Sequence, residues 1–118
     1  MTVEQARRLP RSGLVDVGAH TMTHPFLSFW PVDFQEHEVE AGRRGCAELT
    51  GVEPQAFAYP HGDYDQRTVD VVRRAGFRLA CTTHGRAVIP SSDAWELPRV
   101  QVASWSARQL AWALRTVR

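Results

Sequence analysis

The chain has 118 residues, 43% of them hydrophobic, and a formal charge of +1, which fits one domain with a real core but is short for a barrel enzyme. Its 14 basic residues are spread along the sequence, so charge points to neither nucleic acid nor a membrane surface. All of them are arginine, which excludes lysine Schiff-base chemistry within this chain. No stretch approaches the roughly 18 apolar residues of a membrane span, and the N-terminus lacks a signal-peptide core. The sequence therefore assigns no compartment. Cys46 and Cys81 form no C-x-x-C pattern and read as free packing residues.

In chain order, Thr2 to Arg11 reads as a helix that Pro10 and Gly13 bring to an end, and Leu14 to Val17 as a short strand. Residues 25–31 are aromatic and turn-rich. A helix is expected from Asp33 to Leu49, with Asp33 as N-cap and Glu36 as its capping-box partner. Gly42 and Gly45 each cost roughly 1 kcal/mol there, so a break or a frayed turn is expected. Gly51 suits the C-cap, and Gln55 to Tyr59 reads as a second strand ending at Pro60-His61-Gly62. Asp65 caps the clearest helix, whose face is Val69, Val72 and Ala75 and which Gly76 stops. Phe77 to Thr82 is a third strand and Leu97 to Val102 a fourth, before a last helix capped by Ser104 or Ser106 and carrying Leu110, Ala113, Leu114 and Val117. This alternation predicts a single α/β domain over residues 1–118, with roughly four parallel strands and function at their C-terminal ends.

The chemistry concentrates after the first two strands. Val15-Asp16-Val17-Gly18-Ala19-His20-Thr21-Met22-Thr23-His24-Pro25 ends an apolar run in two imidazoles at H-x-x-x-H spacing. A zincin helix is excluded, because Thr21 stands where the catalytic glutamate belongs. Spacing alone leaves metal ligation and local hydrogen bonding equally open. If the pair ligates, the threonine hydroxyls are suited to orient the rings, and a third ligand must come from elsewhere. Asp63 is a better substitute carboxylate than Asp16, which should face away from the core, or Asp65, which is needed as a cap. His84 lies on the same face as a solvated residue, an acid or a ligand contact, and Arg99 as a ligand contact or the partner of a structural carboxylate. Phe29, Trp30 and Trp95 are core residues or ligand-stacking platforms.

With its flanks, the stretch Val17 to Pro25 resembles the second motif of the NodB-homology polysaccharide deacetylases, carbohydrate esterase family 4. Phe57-Ala58-Tyr59-Pro60-His61-Gly62-Asp63-Tyr64-Asp65, with Ala75-Gly76-Phe77 after the helix, resembles the third. Leu97-Pro98-Arg99-Val100 is similar to a late strand of the subgroup containing poly-N-acetylglucosamine deacetylases. The resemblance covers roughly residues 3 to 102. It implies an incomplete NodB-like (β/α) barrel and a divalent metal, zinc first, with cobalt, nickel or manganese as alternatives. It further implies that His20 and His24 are the histidine ligands, that Thr21 orients their loop, and that the His61 backbone N–H stabilises the oxyanion. Tyr59, Pro60, Gly62 and Arg99 would then shape the turn and meet the polysaccharide or oligosaccharide substrate.

The departures from the family pattern are specific. There is no Asp-Asp dipeptide to provide the general base and the third ligand, Ala58 stands where an arginine is common, and no late Leu-x-His follows. The resemblance thus implies the C-terminal portion of a deacetylase domain, whose missing strands would come from further sequence or a partner chain. The alternative is a non-catalytic remnant or carbohydrate-binding module.

Overall fold

A computed structural model of the chain describes residues 1–116. Helix α1 (Val3–Arg11) starts at a capping box, in which the Thr2 hydroxyl accepts from the Gln5 N–H at 3.2 Å and the Gln5 side chain accepts from the Thr2 N–H at 2.8 Å. Pro10 is accommodated in the last turn, and the helix ends at Ser12 and Gly13, the latter at φ +68°. Helix α2 (Val32–Thr50) runs unbroken through Gly42 and Gly45 to a left-handed Gly51. The expected Asp33 cap is displaced: Pro31 is the N-cap, Asp33 lies in the first turn, and Glu36 pairs with Arg74 at 2.7 Å. Helix α3 (Gln66–Arg74) begins at the Asp65 cap and buries Val69, Val71 and Val72, and Gly76 follows at φ +85°. Helix α4 (Ala107–Thr116) is capped through Ser106, whose hydroxyl meets Gln109 N–H at 3.4 Å. Of its expected face, Ala113 is buried and Leu114 is exposed, while Val117 lies outside the described residues.

The sheet is parallel and short. Strand β1 (Ala56–Ala58) pairs with β2 (Leu79–Cys81), Phe57 standing opposite Ala80. Single bridges extend it on both sides, Ala19 to Phe57 and Cys81 to Leu97, so the four parallel segments lie side by side in chain order. The first and fourth expected strands are therefore reduced to one paired residue each. Leu14 and Val15 are exposed and lie before the single bridge at Ala19. On the other side, Pro98 follows Leu97 at once and has no N–H to carry the ladder on.

Burial explains the assembly. Ala19, Phe57, Tyr59 and Ala80 from the sheet side meet Leu27, Val39, Val69, Val71, Val72 and Phe77 in one core. Removing the leucine, valine and phenylalanine side chains among them from water contributes about 1.5–3 kcal/mol each, the main force holding α2 and α3 against these short strands. Both cysteines are free and half-buried. Burial first, with Glu53 nearby, pushes the Cys46 thiol upward from its ordinary value.

Candidate metal-binding and oxyanion face

Parallel neighbours in chain order bring their C-terminal ends to one edge, where Ala19 leads into His20, Ala58 into Tyr59-Pro60-His61, Cys81 into Thr82-Thr83-His84, and Leu97 into Pro98-Arg99. His20, His24 and His61 are all exposed there. The His24 ring lies 4.7 Å from that of His20 and 4.3 Å from that of His61, centroid to centroid.

Three local bonds set these rings. His20 Nδ1 is 2.7 Å from the Ala58 carbonyl oxygen. A carbonyl only accepts, so Nδ1 is the donor, which in a neutral ring leaves the Nε2 lone pair free. By the same reasoning His61 Nε2 donates to the His24 carbonyl at 3.2 Å, tying the Pro60–Gly62 turn to the histidine loop. The Thr21 hydroxyl accepts from the His24 N–H at 3.1 Å. The Thr21 hydroxyl thus ties the loop to His24, while the tautomer of His20 is fixed by a strand carbonyl and not by a threonine. Desolvation, then the neighbouring His61 and His20, lower the pKa of His24 and favour its neutral form, with its own backbone hydrogen bond acting the other way.

The loop is unusual in its backbone. Thr21, His24 and His61 all have φ near +60°, at 61°, 61° and 59°, in the region that non-glycine residues visit at a cost of order 1–3 kcal/mol. Helix α2 supplies the restraint. Glu38, 3% exposed, accepts from the Met22 N–H at 3.1 Å, the Thr23 N–H at 2.8 Å and the Thr23 hydroxyl at 2.9 Å. One turn on, Gly42 packs so closely that a Cβ there would lie 2.6 Å from the Thr21 carbonyl carbon. Neither residue stands out as functional in the sequence, where Glu38 is one glutamate of several on α2 and Gly42 reads only as a weak helix former.

The Pro60–Gly62 turn is a 3₁₀ turn bent at His61. Among the described residues no acceptor takes the His61 N–H, whereas Gly62 N–H bonds to Tyr59 O and Asp63 N–H to Pro60 O. Gly62 has φ +71°, and a Cβ there would fall 2.1 Å from the Thr83 hydroxyl. The ring of Phe26 stacks flat on His61, 3.9 Å away at 8°.

Several expected contacts are corrected by burial and bonding. Tyr59 is 1% exposed and its hydroxyl donates to Trp95 O at 2.8 Å, so its side chain is a core element and not a substrate contact. Burial, chiefly, raises its pKa beyond the ordinary tyrosine range. Pro60 is buried as well. Asp63 is engaged by Ser28, accepting from its N–H at 2.8 Å and its hydroxyl at 2.7 Å. Arg99 Nε donates to Thr82 O at 2.9 Å, and the residue lines a cavity of about 260 Å³ with Thr83, Val100 and Gln101. His84 lines a separate cavity of about 500 Å³ beside Tyr64, Arg86 and Glu96. Trp95 is half-buried, packed on the core with Arg73 above its ring. Asp16 is exposed, facing away from the core as expected. Among the described residues no group of three His, Cys, Asp or Glu side chains converges as a metal site, and no helix is long and apolar enough to cross a membrane.

Comparison with known proteins places these features. The family model described as polysaccharide deacetylase matches residues 1–80. YxkH of Bacillus subtilis (strain 168), which carries a polysaccharide deacetylase designation, is 22% identical over 103 residues, 87% of this chain and 37% of that protein. The Streptococcus pyogenes deacetylase PplD, solved in complex with acetate, superposes on 100% of this chain and 51% of its own with a TM-score of 0.86 and 24% identity. For IcaB from Ammonifex degensii the figures are 95% and 52%, with a TM-score of 0.77 and 30% identity. The chain spans about half the length of these two structures and less of the Bacillus relative. The shared α/β fold is that of NodB-like deacetylases, of which the described residues form an incomplete (β/α) barrel.

Proposed function

Since the chain belongs to the polysaccharide deacetylase family, whose model its residues 1–80 match, we propose that its histidine face takes part in metal-assisted removal of acetyl groups from an N-acetylated polysaccharide. Poly-N-acetylglucosamine-, chitin- and peptidoglycan-like polymers are the candidate substrates. The observation that carries this reading is geometric: His24 lies between His20 and His61, at 4.7 and 4.3 Å, beside a turn whose His61 N–H is unbonded among the described residues. The acetate bound to PplD supports the acetyl group as the reacting part.

The donors suit a borderline divalent ion such as zinc, with cobalt, nickel or manganese as alternatives. His20, through Nε2, and His24 would be two of its ligands. The third ligand and the general base would be two further carboxylates that the described residues do not bring to the site, Asp63 being committed to Ser28, and a partner chain is one source of them. When bound, such an ion polarises the acetyl carbonyl and acidifies water. The residues of this chain do the rest. The His61 N–H donates to the carbonyl oxygen as negative charge develops there, an effect worth about 10²–10³ in rate for comparable donors. The His61 Nε2 bond to His24 O keeps that donor in register with the ligand loop. Water adds across the amide C–N bond, releasing acetate and leaving a free amine on the sugar.

Zinc titration of the chain against an H20A/H24A variant is the decisive test. Measurable binding by the parent that the variant loses is expected, and equal weak binding by both removes the metal assignment. A second reading, carbohydrate binding without turnover, is favoured by the lack of a converging carboxylate among the described residues. Acetate release from an N-acetylglucosamine oligomer, abolished by a chelator and restored by metal, decides for hydrolysis.

A further inference from the structure

We propose that Phe26 and Phe29 form a sugar-stacking subsite, which seats the pyranose ring neighbouring the one being deacetylated. The proposal rests on the deacetylase reading above and adds to it the means by which a polymer is held.

The two phenylalanines extend the row of histidines. Phe26 lies flat on His61 at 3.9 Å, and Phe29 meets the edge of Phe26 at 6.1 Å. The row therefore runs from the ligand loop to a ring that is 80% exposed. Leaving a phenylalanine in water forgoes a stabilisation of the kind that built the core, and contiguous exposed apolar groups beside a site mark binding surfaces.

Phe29 is also held out rigidly. Its turn, Leu27–Phe29, is anchored by the fully buried Leu27 and by the double hydrogen bond of Ser28 to Asp63, at 2.8 and 2.7 Å. Arg67 adds a bond to Ser28 O at 3.2 Å from the neighbouring helix α3. A ring fixed in this way loses little freedom on binding. Its continuity with the oxyanion turn selects the occupant. A pyranose presents one apolar C–H face to lie on an aromatic ring while its hydroxyls stay in water, and a polymer reaching the histidines must pass over what lies next to them. This also assigns a role to Asp63: it builds the turn that presents Phe29.

The test is calorimetric binding of the N-acetylglucosamine tetramer and monomer to the parent chain, F29A and F29W. Phe29 is 80% exposed, so neither variant should disturb folding. The parent is expected to bind the tetramer, F29A to bind it about fivefold or more weakly, and F29W to match the parent, while monomer binding stays unchanged. Equal tetramer affinity in F29A and the parent overturns the subsite alone. No tetramer binding by the parent overturns the polysaccharide reading together with it. Light scattering provides the remaining check: a parent dimer that F29A converts to monomer would make this surface an interface between copies and not a sugar subsite.

Discussion

The Glu38 carboxylate holds both the N–H and the hydroxyl of Thr23, at 2.8 and 2.9 Å, from inside the protein. With the Met22 N–H added, all three bonds run from α2 into the loop between His20 and His24. Replacing Glu38 with glutamine puts an amide donor against donors. We expect E38Q to lose about 1–3 kcal/mol of stability, as for other buried groups left unsatisfied. Because the loop sets the histidine geometry, zinc affinity should fall about 10-fold or more, the scale seen when partners of metal ligands are removed. Urea denaturation and zinc calorimetry on one preparation measure both, and unchanged affinity in a folded E38Q would refute the positioning role.

Gly42 and Gly45 lie in the same helix and make a matched pair. A Cβ at Gly42 would stand 2.6 to 2.8 Å from Thr21 backbone atoms, whereas one at Gly45 meets nothing within 4 Å. Alanine should gain up to about 1 kcal/mol at Gly45 from helix propensity. At Gly42 the same gain is outweighed by an overpacking cost of about 1–3 kcal/mol, so G42A should be destabilised and should disturb the histidine loop. Opposite signs in thermal unfolding of G45A and G42A are the expected result.

What the sequence discloses and what it hides divide by the range of the interaction. The Asp65 cap and the Gly51 stop were legible because their partners lie within a few residues. The Asp33 cap was not, because α2 starts earlier for reasons outside the capping pattern: Gln35 is fully buried, with its N–H on Pro31 O and its amide on Trp30 O. The histidine pair was visible from spacing and flanks, but Glu38 sits among Glu36, Glu40 and Glu48, and only tertiary packing tells which of them is buried. Tyr59 was misread although the signal existed, since it lies two residues after Phe57 and a strand sends both to one face. The edge segments were overestimated because alternation predicts extended chain and says nothing of whether a partner is there to pair with it.

Asp65 offers a pH test with a definite sign. Burial works against its charge, but Arg67 at 2.7 Å and the Thr68 N–H and hydroxyl outweigh it and hold the carboxyl below its ordinary value. A depressed folded pKa means stability that is present above the unfolded value of roughly 3.9 and is lost as pH falls through the lower, folded one. D65A should therefore cost about 1 kcal/mol near neutrality, a typical N-cap loss. The gap between D65A and the parent should narrow in the acid range below the usual carboxylate pKa. A gap that stays constant through that acid range would mean the cap does not act through its charge.

His61 combines a backbone role with a side-chain one, and substitution can separate them. Its φ of 59° and ψ of 0° suit glycine and asparagine, while a β-branched residue is strained there. Glycine and asparagine both discard the stack on Phe26 and the bond to His24 O, so they share that loss and keep the turn. H61V shares the loss and adds the strain, and we expect it to be about 1–2 kcal/mol less stable than H61G. If the oxyanion donor is the main-chain N–H, acetyl hydrolysis by the active assembly should survive in H61N within a few-fold and drop in H61V. Equal stability of H61V and H61G in urea would show that the turn relaxes, and equal loss of activity in H61N and H61V would shift the role from the backbone to the imidazole.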